Sequence, residues 1–204
     1  MILDFNNLVT NYKCDITGVI HIGGHHGQEY ELYKQLNVPV LFFEPVASSF
    51  NILYNKVKHD PNITVYQCAL GNENAYVYMN IETANNGQSS SILKPKKHLT
   101  HYPHIVFNST ERVSMFRLDD LDINLSIYNF INVDVQGYEL EVFKGASNTL
   151  KNINYIISEV NNDELYEGCA YVDDIDNHLS QFSFKRVETI WSKNNWVDAL
   201  YIKQ

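Results

Sequence analysis

The 204-residue chain reads as an α/β fold built on a mostly parallel sheet whose last strand runs antiparallel. Three observations predict this. Short apolar runs suited to buried strands, Val40–Phe43 and Phe130–Val133 among them, alternate with stretches that carry apolar residues at helical spacing. The last two apolar runs, Phe184–Ile190 and Trp196–Ile202, follow one another across the polar link 191–195 with no helix between them, which predicts an antiparallel hairpin. Strand ends carry glycines or acids: Gly23, Gly24 and Gly27 after the first strand, Glu44 after the second and Asp134 after a later one, at the edge where open α/β sheets bind ligands. With 45% apolar content the length suits one well-buried core, so residues 1–204 are expected to form a single domain.

Taken in order, residues 1–18 form a lead-in with Phe5, Leu8, Val9 and Tyr12 at helical spacing. Val19–Ile22 is the first strand and runs into the turn Gly23-Gly24-His25-His26-Gly27, after which Tyr30, Leu32, Tyr33 and Leu36 mark a helix. Val40–Phe43 is the second strand, stopped by Pro45, and Val46, Phe50, Leu53 and Val57 mark the next helix. Ile63–Leu70 is the third strand. Residues 75–115 read as an insertion: an accessory strand or hairpin at Ala75–Ile81, a polar loop Asn85–Ser91 anchored by Ile92 and Leu93, then Lys94, Lys96, Lys97, His98, His101 and His104. Val113–Leu118 is a short strand feeding a turn. Phe130–Val133 delivers Asp134 to its end, and Leu140, Phe143 and Leu150 give the following helix its apolar face. Tyr155–Val160 again ends among acid and amide groups, Glu159, Asn161 and Asn162. An amphipathic helix with Val172, Ile175, Leu179 and Phe182 leads to the closing hairpin.

A net charge of −9 argues against nucleic acid, because backbone binding needs clustered Lys and Arg. No stretch reaches the length of a membrane span. The N-terminus lacks a basic and then apolar leader, and Cys14, Cys68 and Cys169 lack the paired spacing of a zinc site. Reduced thiols in a cytoplasmic protein are the expectation.

The site candidates each have a plain structural role beside the functional one. Asp134 either caps its helix or faces a ligand. The glycine turn is spaced G-G-x-x-G, unlike the dinucleotide fingerprint, and by itself is equally a tight corner. Glu44 lies 21 positions after Gly23, near the separation of about 20 at which such folds place an acid on a ribose diol. Ala69 and Leu70 suit the flat face of an adenine. The His residues at intervals of three suggest a helical metal face, but Pro103 interrupts it, leaving a solvated or substrate-facing loop as the expectation.

Together, the glycine turn, Glu44, Ala69-Leu70-Gly71 and Asp134-Val135-Gln136-Gly137-Tyr138-Glu139-Leu140 resemble the S-adenosylmethionine-dependent methyltransferases of the FkbM family. Ser89-Ser90-Ser91-Ile92-Leu93, Glu159-Val160-Asn161, Glu164-Leu165-Tyr166 and Asp198-Ala199-Leu200-Tyr201-Ile202 extend the resemblance over nearly the whole chain. It implies the class I methyltransferase fold, a Rossmann-like seven-stranded sheet with helices on both faces and its last strand antiparallel, and O-methylation of a hydroxyl, often on a sugar, glycan or nucleotide sugar. By that analogy His21, Gly23, Gly24, His25 and Gly27 wrap the methionine part of the cofactor, Glu44 takes the ribose, Ala69 and Leu70 the adenine, and Asp134 the amino group or transferred methyl. The sequence departs at His21, where class I enzymes often carry an acid.

The chemistry calls for a group that takes the hydroxyl proton, or a cation that lowers its pKa. Asp134 and Glu159 are the candidates, with His25 and His26 as alternative bases. The same acids beside Asn161 suit a divalent metal through oxygen ligands. Gln88, Ser89, Ser90 and Ser91, with Lys94 and His98, are expected to wall the substrate, the lysines meeting phosphate if it carries any. A non-catalytic nucleotide-binding or assembly module on the same fold is the competing reading, and a nicotinamide-dependent oxidoreductase is disfavoured by the glycine spacing.

Overall fold

The computed structural model describes residues 3–189, Trp191 and 195–204. Ile190, the link Ser192–Asn194 and the side chain of Leu8, each part of an expectation above, lie outside the described residues.

A seven-stranded sheet forms the centre. Its strands are β1 (Val19–Ile22), β2 (Val40–Phe43), β3 (Ile63–Tyr66), β7 (Phe130–Val133), β8 (Tyr155–Asn161), β9 (Phe184–Thr189) and β10 (Trp196–Lys203), in the order β3-β2-β1-β7-β8-β10-β9. The first five strands pair in parallel, while β10 runs antiparallel to both β8 and β9. The final hairpin therefore sits as the apolar alternation predicted.

Each buried strand feeds two cores. Ile20, Ile22, Ile131, Val133 and Ile156 point to the side covered by helices α5 (Glu139–Lys144) and α6 (Val172–Ser180). Val19, Val40, Phe42, Phe130 and Ile157 point to the other side, covered by α1 (Phe5–Asn11), α2 (Tyr30–Leu36) and α3 (Ala47–Val57). Phe5 meets Tyr33 and Phe130 edge-on at 5.8 and 5.6 Å, which seats the lead-in helix on the sheet. On this second side the alternation turns polar toward the carboxyl ends of the strands. His21 pairs in register with Asn132, and Glu159 with Asp198.

The expected single strand Ile63–Leu70 is instead two. Glu44 N–H donates to the Tyr66 carbonyl at 3.0 Å, and then Pro45, with no N–H, ends β2, so β3 has nothing further to pair with. The chain passes into β4 (Ala69–Leu70), which joins a separate sheet with β5 (Ala75–Glu82) and β6 (Phe107–Phe116). β6 is longer than the Val113–Leu118 segment expected, because it pairs with β5 along most of its length. Leu118–Asp120 is a single 3-10 turn, and Leu150 lies on another at Thr149–Lys151 beyond the short α5.

Between β5 and β6 the chain folds back over the strand ends. An antiparallel bridge joins Asn80 to Ser91 and another joins Pro95 to Tyr166, tying the loop to the segment after β8. The helix α4 spans only His98–His101; the residue before Pro103 leaves the helical region, as pre-proline residues do, so His104 falls outside it and the three imidazoles do not share a face. His98 is buried while His101 is exposed and 3.3 Å from Asp163. Cys68 and Cys169 are buried and Cys14 half-buried, all unbridged. Among the described residues no helix is long and apolar enough to cross a membrane.

Candidate active site

The turn after β1 is pinned by its backbone. Gly23 and Gly24 both donate their N–H groups to the Phe43 carbonyl, at 2.9 and 3.0 Å. Gly23 sits at φ +86°, a conformation other residues rarely adopt, and its α-carbon lies against the Asp134 carbonyl. Asp134 N–H in turn donates to Ile22 at 3.0 Å, extending the β1–β7 ladder. Glu44 closes the corner: its Oε2 accepts the His25 N–H and its Oε1 the Val46 N–H, each at 2.8 Å. One lone pair on each oxygen remains for a ligand. Burial pushes this carboxyl up to about 7.

His21 is buried below the turn. Asn132 Nδ2 donates to the Tyr33 hydroxyl at 2.8 Å, so the hydroxyl proton is directed to His21 Nδ1 at 3.1 Å. That assigns the ring proton to Nε2. Burial lowers the imidazole to about 4, so it stays neutral where an acid is common in related folds.

At the other end, Gln136 links the two acids. Its Nε2 donates to Asp134 Oδ1 at 2.8 Å and to Glu159 Oε2 at 2.9 Å, while its Oε1 lies 2.8 Å from the Tyr166 hydroxyl. Gln136 and Gly137 hold φ values of +56° and +95°, and this tight bend aims the Val135 and Gly137 N–H groups at Glu139 Oε1, at 3.0 and 3.1 Å. Burial, reinforced by the neighbouring carboxylates, holds Glu159 well above its usual range. Burial raises Asp134 as well, against the Gln136 hydrogen bond, and brings Glu139 to about 7. Glu139 Oε2 and both amide atoms of the buried Asn161 have no partner. The carboxylate oxygens of Asp134, Glu139 and Glu159 lie within 4.8 Å of one another, close enough to hold a cation, which would have to displace the Gln136 amide.

The glycine turn, Glu44, Asp134, Gln136 and Glu159 line one cavity of about 650 Å³, within the roughly 300–1,000 Å³ of small-molecule sites. His21, Gly23, His25, Glu44, Ala69, Leu70, Asp134 and Glu159 are all on its wall. Gln88, Ser89, Ser90 and His98 line it too. Gly24, Gly27 and Ser91 stand behind the wall; Ser91 donates its hydroxyl to the Gln136 carbonyl at 2.7 Å and so braces the bend. Lys94 is exposed and off the wall. Lys96 and Lys97 pair with Glu164 and Asp163 at 2.6 and 2.5 Å, so the basic cluster clips the loop to the segment after β8.

A family model described as the methyltransferase FkbM domain matches residues 21–186. The chain belongs to the FkbM methyltransferase family. A 2-O-methyltransferase, NoeI, of Sinorhizobium fredii is 26% identical over 159 residues, covering 74% of this chain and 65% of that protein. A hexuronic acid methyltransferase, AglP, of Haloferax volcanii is 50% identical over 32 residues, 16% of this chain and 13% of that one. The chain thus spans less than two thirds of the length of these curated relatives. Among solved structures, the magnesium protoporphyrin IX methyltransferase of Synechocystis with bound S-adenosylmethionine superposes with a TM-score of 0.55 at 12% identity, over 97% of this chain and 74% of that one. The ribosomal protein L11 methylase of Lactobacillus delbrueckii gives 0.52 at 12% identity, over 96% and 75%. The FkbM chain has the class I methyltransferase fold that these neighbours share.

Within this FkbM domain, Gln136, Tyr166 and Asp198, which the sequence offered only within the resemblance and without a role, join the site. The positive φ at Gln136, next to a glycine at a strand end, is the local signal that marks it.

Proposed function

We propose that this FkbM chain is an S-adenosylmethionine-dependent O-methyltransferase acting on a hydroxyl of a sugar or glycan. The observation that carries the reading is the convergence of the glycine turn, Glu44 and the Gln136-bridged acids on one cavity. S-adenosylmethionine supplies a methyl group on a positively charged sulfur. The donor set fits it: Glu44 offers lone pairs to a ribose diol, Ala69 and Leu70 an apolar wall to adenine, and Asp134 and Glu159 negative charge to its cationic end.

The protein then has to align an oxygen with the methyl and exclude water. With S-adenosylmethionine held between the glycine turn, Glu44 and Asp134, it would supply the methyl group, and Asp134 would take the proton of the acceptor hydroxyl. Burial and the neighbouring carboxylates push Glu159 further up than Asp134, whose rise the Gln136 hydrogen bond opposes, so Asp134 is the better placed base. A divalent cation held by Asp134, Glu139 and Glu159 is a variant of the same chemistry. A non-catalytic module is the second reading; neutral His21 in place of an acid favours it.

Incubation with methyl-labelled S-adenosylmethionine and a panel of glycosides tests the proposal. Label in an ether on the sugar is expected. Cofactor binding without label transfer to any hydroxyl supports the module instead.

A further inference from the structure

We infer that the acceptor is an uncharged glycosyl unit rather than a uronate or a phosphorylated sugar, and that His98 positions it. This rests on the methyl-transfer reading above.

The charge on the wall comes first. Among the described residues lining the cavity there are five carboxylates, Glu29, Glu44, Asp134, Glu159 and Asp198, and no lysine or arginine. Of the cations before His98 in sequence, Lys96 pairs with Glu164 and Lys97 with Asp163, while Lys94 is exposed and off the wall. Burial already pushes Glu44 and Glu159 upward. An anionic acceptor adds like charge to this wall and finds no lysine or arginine among its described residues to pair with. A hydroxyl, both donor and acceptor, suits carboxylate and imidazole alike.

The second observation is an unpartnered buried group. His98 is 5% exposed, lines the cavity, and its Nδ1 has no hydrogen-bond partner. The ring is held by Tyr102, Phe107 and Tyr166, with centroids 5.0, 5.5 and 5.4 Å away. Tyr166 is also the tyrosine that reaches Gln136, so His98 stands one ring away from the bridged acids. Burial lowers the imidazole, leaving it neutral and able to bond a hydroxyl. Trp196 donates its indole N–H to the Tyr102 hydroxyl at 2.8 Å, which fixes both rings in the wall where the apolar face of a sugar would rest.

Methyl transfer to methyl glucoside and methyl galactoside is compared with transfer to the matching uronosides and 6-phosphates. Binding of S-adenosylhomocysteine is measured in parallel. The neutral glycosides are expected to win in kcat/KM by at least about tenfold, the effect of one uncompensated like charge about 10 Å away at an effective dielectric near 20, and the gap is expected to narrow with salt. His98→Leu is expected to raise KM for the neutral glycoside about five- to tenfold with affinity for S-adenosylhomocysteine unchanged, and His98→Gln to retain most of the wild-type KM. If S-adenosylhomocysteine does not bind, the methyl-transfer reading itself falls. If it binds but the anionic sugars are methylated as well as the neutral ones, or in their place, this inference alone is overturned; binding with no sugar methylated at all takes the methyl-transfer reading down with it. An unchanged KM in His98→Leu removes the role of His98.

Discussion

The carbonyl oxygen of Asp134 lies 1.8 Å from the point that a Cβ on Gly23 would occupy. The corner after β1 and the end of β7 therefore meet main chain to main chain, and the site cannot form unless they do. Gly23 also holds φ +86°, so an alanine there is strained twice over. Gly23→Ala is expected to destabilise the fold by about 2 kcal/mol or more, read by urea denaturation, and to abolish binding of S-adenosylhomocysteine. A variant of wild-type stability and affinity contradicts the close approach.

Gln136 shares one amide between Asp134 and Glu159. Its hydrogen bond holds Asp134 below where burial alone would put it. In Gln136→Ala that restraint is lost, so the base needs a higher pH to ionise. The acid limb of the kcat/KM profile is expected to move up, with kcat at neutral pH down about 10²-fold. A profile that stays in place denies the bridge a part in the chemistry.

Glu139 sits at about 7 in the fold against roughly 4.3 in an unfolded chain. The folded state holds the extra proton, so the stabilisation from this group is complete below about pH 4.3 and is lost as pH rises toward 7. Glu139→Gln keeps an oxygen for the Val135 and Gly137 N–H groups and cannot lose a proton. Relative to wild type, the variant is expected to gain stability from pH 5 to about pH 7 and to level off above it. Parallel curves of melting temperature against pH count against a buried, raised Glu139.

The strands of the large sheet were legible because their apolar runs are local, and Asp134, Glu159 and Glu44 because each ends such a run. The split of Ile63–Leu70 was not, because it depends on where β2 stops, at Pro45, in a different part of the chain. Lys96 and Lys97 looked like a binding patch for the same reason: their partners Glu164 and Asp163 come next to them only when the loop folds back over β8. Gln136 and Tyr166 carry no charge, and their part in the site is a pairing across the sheet edge that no spacing reveals.

The account stands on the glycine corner, Glu44 and Asp134 binding one adenosine-bearing molecule, and calorimetric titration of S-adenosylhomocysteine into the wild-type, Glu44→Ala and Asp134→Asn proteins tests this most directly. One-to-one binding with a Kd in the micromolar range, about −8 kcal/mol, is predicted for the wild type, with Glu44→Ala and Asp134→Asn each weaker by about tenfold or more. No heat of binding in the wild type, or equal affinity in all three proteins, contradicts it.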